Sequence, residues 1–197
     1  MAKIPKPTQK ELEKWLDNWE KMENYRNQEN ALNKLFHKTY PKNNDINEIL
    51  IKVATLNDFY STHILNIFKV AEHIEKNIKN LDDRLQKGDE KLVNEIAKVG
   101  LKNKNGKKII FYSFATKFCS HHNDKDFAIY DRYVEKILMH FKKLDNFSEN
   151  FIKKEDLKEY SNFKSILFDD FRVYYKLDCN LKELDRYLWQ LGRKYFA

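Results

Sequence analysis

The sequence predicts an all-α fold. Apolar residues recur at three- and four-residue spacing along almost the whole chain, the signature of helices that each bury one face. Only four glycines and three prolines interrupt 197 residues. With 42% apolar and 14% aromatic side chains the chain has material for a sizeable core. It is expected to fold as a single all-helical domain over residues 1–197, built as two small lobes.

Taken in order, Leu12, Trp15, Leu16 and Trp19 form one stripe of a first helix entered through Pro5 and Pro7, and Pro41 then breaks the chain. Asp45 with Glu48 three residues later reads as a capping box, opening a helix whose buried face is Ile46, Ile49, Leu50 and Val53. A polar and aromatic joint, residues 57–62, is expected to protrude. Ile64, Ile67, Phe68, Ala71 and Ile78 resume the helical pattern, with Ser61 or Thr62 as cap. Leu92, Ile96 and Val99 end a shorter helix at Gly100, read as its C-terminal glycine. After the turn KNKNG, Phe111, Phe114, Ala115 and Phe118 face a core, while Tyr112, Ser113, Thr116 and Lys117 fall on or near the opposite side. Tyr130, Val134, Ile137, Leu138 and Phe141 mark the next helix. Between Leu144 and Phe168 the pattern weakens, and a final helix capped by Asn180 and Glu183 carries Leu181, Leu184, Leu188, Trp189 and Leu191. No internal repeat or low-complexity segment is present.

Charge and composition narrow the class. The formal net charge is +7 and the pI about 9.1, which suits an anionic partner but is also common in soluble lysine-rich proteins. The opening MAKIPKPTQKELEKW has no apolar core of a leader, and no stretch approaches the roughly 18 apolar residues of a membrane span. A cytoplasmic protein without membrane contact is expected. Cys119 and Cys179 stand in no metal-type spacing, and His121 and His122 are adjacent on what reads as a surface loop, so no metal site and no cofactor are expected. No Ser-His-Asp order, phosphate-binding glycine motif or HExxH signature occurs.

The informative stretch is GLKNKNGKKIIFYSFATKFCSHHN, residues 100–123. It holds five lysines and no acidic residue, an asymmetry that points to phosphate. Gly100, Lys102, Lys104, Gly106, Lys107 and Lys108 are the candidate nucleic-acid contacts, read against a solvated loop whose lysines serve solubility. Asp131 follows the apolar run Phe127, Ala128, Ile129, Tyr130 at a helix start. Such an aspartate is most often an N-cap, but a carboxylate held rigidly and ionised can also stabilise positive charge or orient a water. Most aromatics belong to the core; Tyr60 and Tyr112, beside polar residues, are candidates to stack on a base.

Together these residues resemble the helix-hairpin-helix DNA glycosylase superfamily. INEILIKVATLNDFYSTHILNIFKV is similar to the helix that opens that domain, with residues 57–62 at the joint that approaches DNA. GKKIIFYSFATKFCSHHNDKDFAIYDRYV looks like the run from hairpin through helix to the loop that delivers the catalytic aspartate, here Asp131. The resemblance covers residues 45–145, with the hairpin near 92–119 and the N- and C-terminal helices forming the second lobe. VGLKNKNGKK replaces the family's usual hairpin, so Gly100 and Gly106 are approximate counterparts. Tyr112 stands where members with lyase activity carry lysine, with Lys108 one turn earlier, and cluster-binding cysteines are absent.

The resemblance implies monofunctional base excision from duplex DNA. The modified or damaged base would be flipped into a pocket between the two lobes, Asp131 would stabilise the oxocarbenium-like sugar and orient the attacking water, and the hairpin lysines would hold phosphates. Asn57, Asp58, Tyr60 and Tyr112 would line the base pocket or wedge the gap. The alternative is a non-catalytic nucleic-acid-binding or regulatory helical module, which requires nothing of Asp131. A third reading is a helical protein-interaction domain with no nucleic-acid partner.

Overall fold

The computed structural model describes residues 3–197; Met1 and Ala2, the start of the segment read for a leader, lie outside them. Among the described residues there is no strand, and one isolated antiparallel bridge joins Lys102 to Lys108. The all-α expectation is met. No helix among the described residues is long and apolar enough to cross a membrane.

Among the described residues eleven α-helical segments follow in order: α1 (Gln9–Glu20), α2 (Glu23–Lys34), α3 (Ile46–Phe59), α4 (Ile67–Asn77), α5 (Leu81–Gln86), α6 (Lys91–Ala97), α7 (Tyr112–His122), α8 (Arg132–Asp145), α9 (Tyr160–Lys164), α10 (Arg172–Tyr174) and α11 (Leu181–Phe196). Wider turns extend α2 over Leu35–Thr39 and join α9 to α10 over Ser165–Phe171, and a tight 3-10 turn covers Lys154–Lys158. The chain divides into two compact units. One, the inserted unit, is Asn27–Phe127; the other, the terminal unit, comprises residues 3–26 and Ala128–Ala197.

In the inserted unit α3 packs on α4 and α7, and α7 packs on α6 and α5. Ile49, Val53, Leu56, Val70, Ile74, Leu92, Ile96, Phe114 and Phe118 supply a core that excludes solvent almost completely. Asp45 caps α3, its carboxylate accepting the Asn47 amide at 2.7 Å, but the expected box with Glu48 is not formed: the cap is one-sided. The cap of α4 is neither Ser61 nor Thr62 but Asn66, which accepts the Lys69 amide at 3.1 Å. The helix starts later because Ser61 (φ 47°) and His63 (φ 56°) turn the chain through the left-handed region first. Lys52 on α3 is fully buried and donates to the Lys42 carbonyl at 2.7 Å and the Asn43 side-chain oxygen at 2.9 Å. Burial pulls its pKa down to about 8, against the opposing pull of Asp82 and Glu48.

In the terminal unit α11 lies on α8 and α1. Thr8 caps α1, and Asn180 with Glu183 forms the expected reciprocal box on α11. Gly192 lets α11 approach α8: a Cβ there would fall 2.7 Å from both the Cβ and the carbonyl oxygen of Tyr133. The weak-pattern region 144–168 is not an open loop. Phe147, Phe151, Leu157, Tyr160 and Phe163 are buried, so aromatic anchors at irregular spacing replace helical periodicity.

Candidate nucleic-acid interface

The basic stretch forms a short hairpin between two packed helices of the inserted unit. α6 ends at Ala97 rather than at Gly100, and the Phe111 amide returns to the Ala97 carbonyl at 3.0 Å. Inside that closure Ile109 donates to Leu101 at 2.8 Å and Asn103 to Lys107 at 2.9 Å. The Asn103 side-chain oxygen accepts the amides of Asn105 and Lys107, both at 3.0 Å, and so organises the tip. Gly100 (φ 85°) and Gly106 (φ 75°) supply the left-handed backbone this path requires. Gly100 thus serves the hairpin and not the helix end, because Val99 and Gly100 already belong to the connection. Lys102, Lys104, Lys107 and Lys108 are all exposed, and none forms an ion pair among the described residues.

A second surface feature of the same unit is the turn joining α3 to α4. Asn57 pins it from within: its oxygen accepts the Thr62 hydroxyl and the Ile64 amide, each at 2.8 Å, and its amide group donates to the Ile64 carbonyl at 3.1 Å. Asn57 is therefore a brace. The residue this brace presents is Leu65, 100% exposed, with Phe68 half-exposed beside it. Asp58 is exposed. Tyr60 is half-buried, its hydroxyl 2.8 Å from His121 Nε2.

The α7 face expected to point outward is instead buried. Tyr112 is 6% exposed, Lys117 3%, Thr116 0% and His121 8%. Packing of α7 against α3, α5 and α6 leaves the helix little open surface, so its polar side is enclosed too. Lys117 Nζ donates to the Ser113 hydroxyl at 2.6 Å and lies 5.1 Å from the Tyr60 ring centre. The histidine pair is likewise not a surface loop, since both residues end α7. His122 packs between Phe36 and Phe118, with ring centres 4.8 and 5.0 Å away. Burial, together with repulsion from Lys52, His37 and His121, holds His122 well below the usual imidazole range. Burial pushes the Cys119 thiol up, out of the reactive range.

The enclosure of Lys117 is what sequence reading missed. Its signal was the run of short hydrogen-bonding side chains on its side of the helix, Ser113, Thr116 and Ser120. Such residues are compatible with an enclosed polar face, whereas a solvated face would carry longer charged ones.

Asp131 is in the terminal unit, at the start of α8. Its Oδ1 accepts the Tyr133 amide at 2.8 Å and the Val134 amide at 2.9 Å, the geometry of an N-cap. Its Oδ2 takes no hydrogen bond among the described residues. One oxygen fixes the side chain and the other is left for another partner.

Comparison with known proteins matches the chain on both sides of the start of the inserted unit and ends one residue before that unit does. A family model described as HI_0787_N, an N-terminal domain, matches residues 11–126, which takes in most of α1, the hairpin and the α3–α4 turn and stops before Asp131. A Haemophilus influenzae protein named "Uncharacterized protein" is 48% identical over 151 residues, 77% of this chain and 69% of its own length. No solved structure matches the chain. The family model spans more than half of the sequence and the relative is matched over two thirds of its length, and the chain belongs to the family described as HI_0787_N.

Proposed function

We propose that this protein binds duplex DNA and excises a modified or damaged base by hydrolysing its N-glycosidic bond. The observation that carries the reading is the divided carboxylate of Asp131: Oδ1 is spent on two backbone amides and Oδ2 is open. A carboxylate so held stays put while charge develops nearby. That suits stabilising an oxocarbenium-like sugar and orienting the water that attacks it. The four exposed lysines of the hairpin fit phosphate contacts that fix the register of the duplex. Leu65, fully exposed directly after the turn that Asn57 braces, suits the apolar wedge that fills the stack when a base is turned out. It takes the role expected of Asn57, which is occupied in bracing it.

A second reading of the chemistry comes from Lys117. Tyr112 offers no amine and Lys108 lies exposed in the hairpin, whereas Lys117 is an amine held away from bulk solvent. Attack of its neutral form on the sugar C1′ would expel the base, and opening of the sugar would leave an imine on the lysine.

The test is an excess of protein over duplex oligonucleotides that each carry one modified base, treated with hot alkali to break abasic sites. Alkali-dependent breaks by the wild type and none by Asp131→Asn support hydrolytic excision. A borohydride-trapped protein–DNA adduct lost in Lys117→Met favours the lysine mechanism. Tight, salt-sensitive binding with no break across a broad panel favours a non-catalytic DNA-binding module.

A further inference from the structure

A second carboxylate stands one helical turn after Asp131 on α8, and its surroundings are opposite in kind. Glu135 is 8% exposed. Its Oε2 accepts the Tyr130 hydroxyl and faces Lys158 Nζ at 3.4 Å, while its Oε1 meets Lys154 Nζ at 2.5 Å. Lys158 also donates to the Tyr130 hydroxyl and lies 4.1 Å from that ring's centre. Both Glu135 oxygens are thus committed to the protein, unlike Oδ2 of Asp131. Two ammonium groups balance one buried carboxylate, which makes Glu135 a poor candidate for the chemistry and a good one for fixing structure.

What it holds is the residue directly before Asp131. Upstream, Tyr130 is tethered through its hydroxyl to Glu135 and packs edge-on against Phe163 at 5.4 Å. Two residues earlier, Ala128 donates its amide to the Tyr160 hydroxyl at 2.6 Å. Downstream, the Glu135 amide donates to the Asp131 carbonyl at 3.0 Å. The residue before the aspartate is therefore tied to the Glu135 side chain, while the aspartate's own carbonyl is held by the Glu135 backbone amide. A catalytic group displaced by about 1 Å can lose on the order of a hundredfold in rate, so such a clamp matters to a carboxylate that must meet a sugar.

We infer that Glu135 is a positioning residue for Asp131, holding residues 130 and 131 through Tyr130 so that the open carboxylate oxygen keeps one direction. The inference deepens the excision reading and rests on it for its consequence in catalysis. The rival is a general brace that merely fastens the Lys154–Lys158 turn to α8.

The experiment uses the full chain with Glu135→Gln and, as a milder cut of the same tie, Tyr130→Phe. Amide hydrogen exchange is followed at Tyr133 and Val134, the two amides capped by Asp131, against Leu138 further along the helix. Single-turnover excision and duplex affinity are measured in parallel. Positioning predicts exchange about tenfold faster at Tyr133 and Val134 with Leu138 unmoved, and slower excision at unchanged affinity. An equal rise at Leu138, or no change at the capped amides, overturns it. Should the wild type excise nothing, the exchange result still decides the role of Glu135, and it is the excision reading that fails.

Discussion

Under the excision proposal Asp131 combines two roles that usually compete for one side chain. As an N-cap it needs an oxygen facing two amides; as a catalytic group it needs a negative charge on the other oxygen. Asparagine caps a helix about as well as aspartate, whereas alanine at a cap costs about 1 kcal/mol. Asp131→Asn is therefore expected to fold with a denaturation midpoint close to wild type and to bind duplex, yet to excise nothing. Asp131→Ala loses about 1 kcal/mol in addition. Equal loss of folding and binding in the asparagine variant would reduce Asp131 to a structural cap. Its cap role was legible in the sequence because Asp131 stands at the start of a run in which Val134, Ile137, Leu138 and Phe141 recur at helical spacing. Lys117 was not, because periodicity reports which side of a helix is apolar but cannot report that the polar side is enclosed as well.

Elements were legible where local signals act alone. Asp45 and the Asn180–Glu183 box mark helix starts through contacts within a few residues, and the structure keeps both starts. The errors fall where a tertiary neighbour decides. α4 begins late because Asn57 holds the preceding turn, and the 144–168 segment is ordered by aromatic anchors that follow no period. Gly192 is of this second kind. In an isolated helix, alanine at that position would gain about 1 kcal/mol over glycine. Here the added Cβ would meet the Tyr133 backbone at 2.7 Å, and backbone does not give way cheaply. Overpacking of that sort costs about 1–3 kcal/mol, so Gly192→Ala should lower the urea midpoint. A rise in midpoint would show that α8 and α11 can separate freely.

Lys52 gives the inserted unit a pH signature. Its pKa falls from 10.5 to about 8 on folding, so between those values the unfolded chain binds more protons than the folded one and stability rises with pH. Below about pH 8 both states carry the charge, and the full penalty of burying it is present. The gain available across the window is on the order of 3 kcal/mol. Denaturant unfolding followed from pH 7.5 to 10.5 should show this rise in the wild type, with Lys52→Met flatter over the same range. Parallel curves would mean that the ammonium stays solvated.

At the scale of the whole molecule, the net charge of +7 draws any polyanion, so affinity for DNA alone says little about where DNA binds. The dependence on salt says more, because each phosphate neutralised releases counterions and adds about 0.9 to the slope of log affinity against log salt. If the hairpin is the contact, replacing Lys102, Lys104, Lys107 and Lys108 together by alanine removes up to four such contacts and should flatten the slope by about 3 to 4. The fold should be indifferent to the change, since all four side chains are exposed and none is ion-paired. Replacing four exposed lysines elsewhere, Lys10, Lys21, Lys79 and Lys143, lowers the net charge equally and supplies the comparison. A large loss of slope in the hairpin variant alone assigns the DNA contact to the hairpin. Equal losses in both would make the attraction a diffuse property of the molecular charge, and the DNA readings would then lose their main structural support.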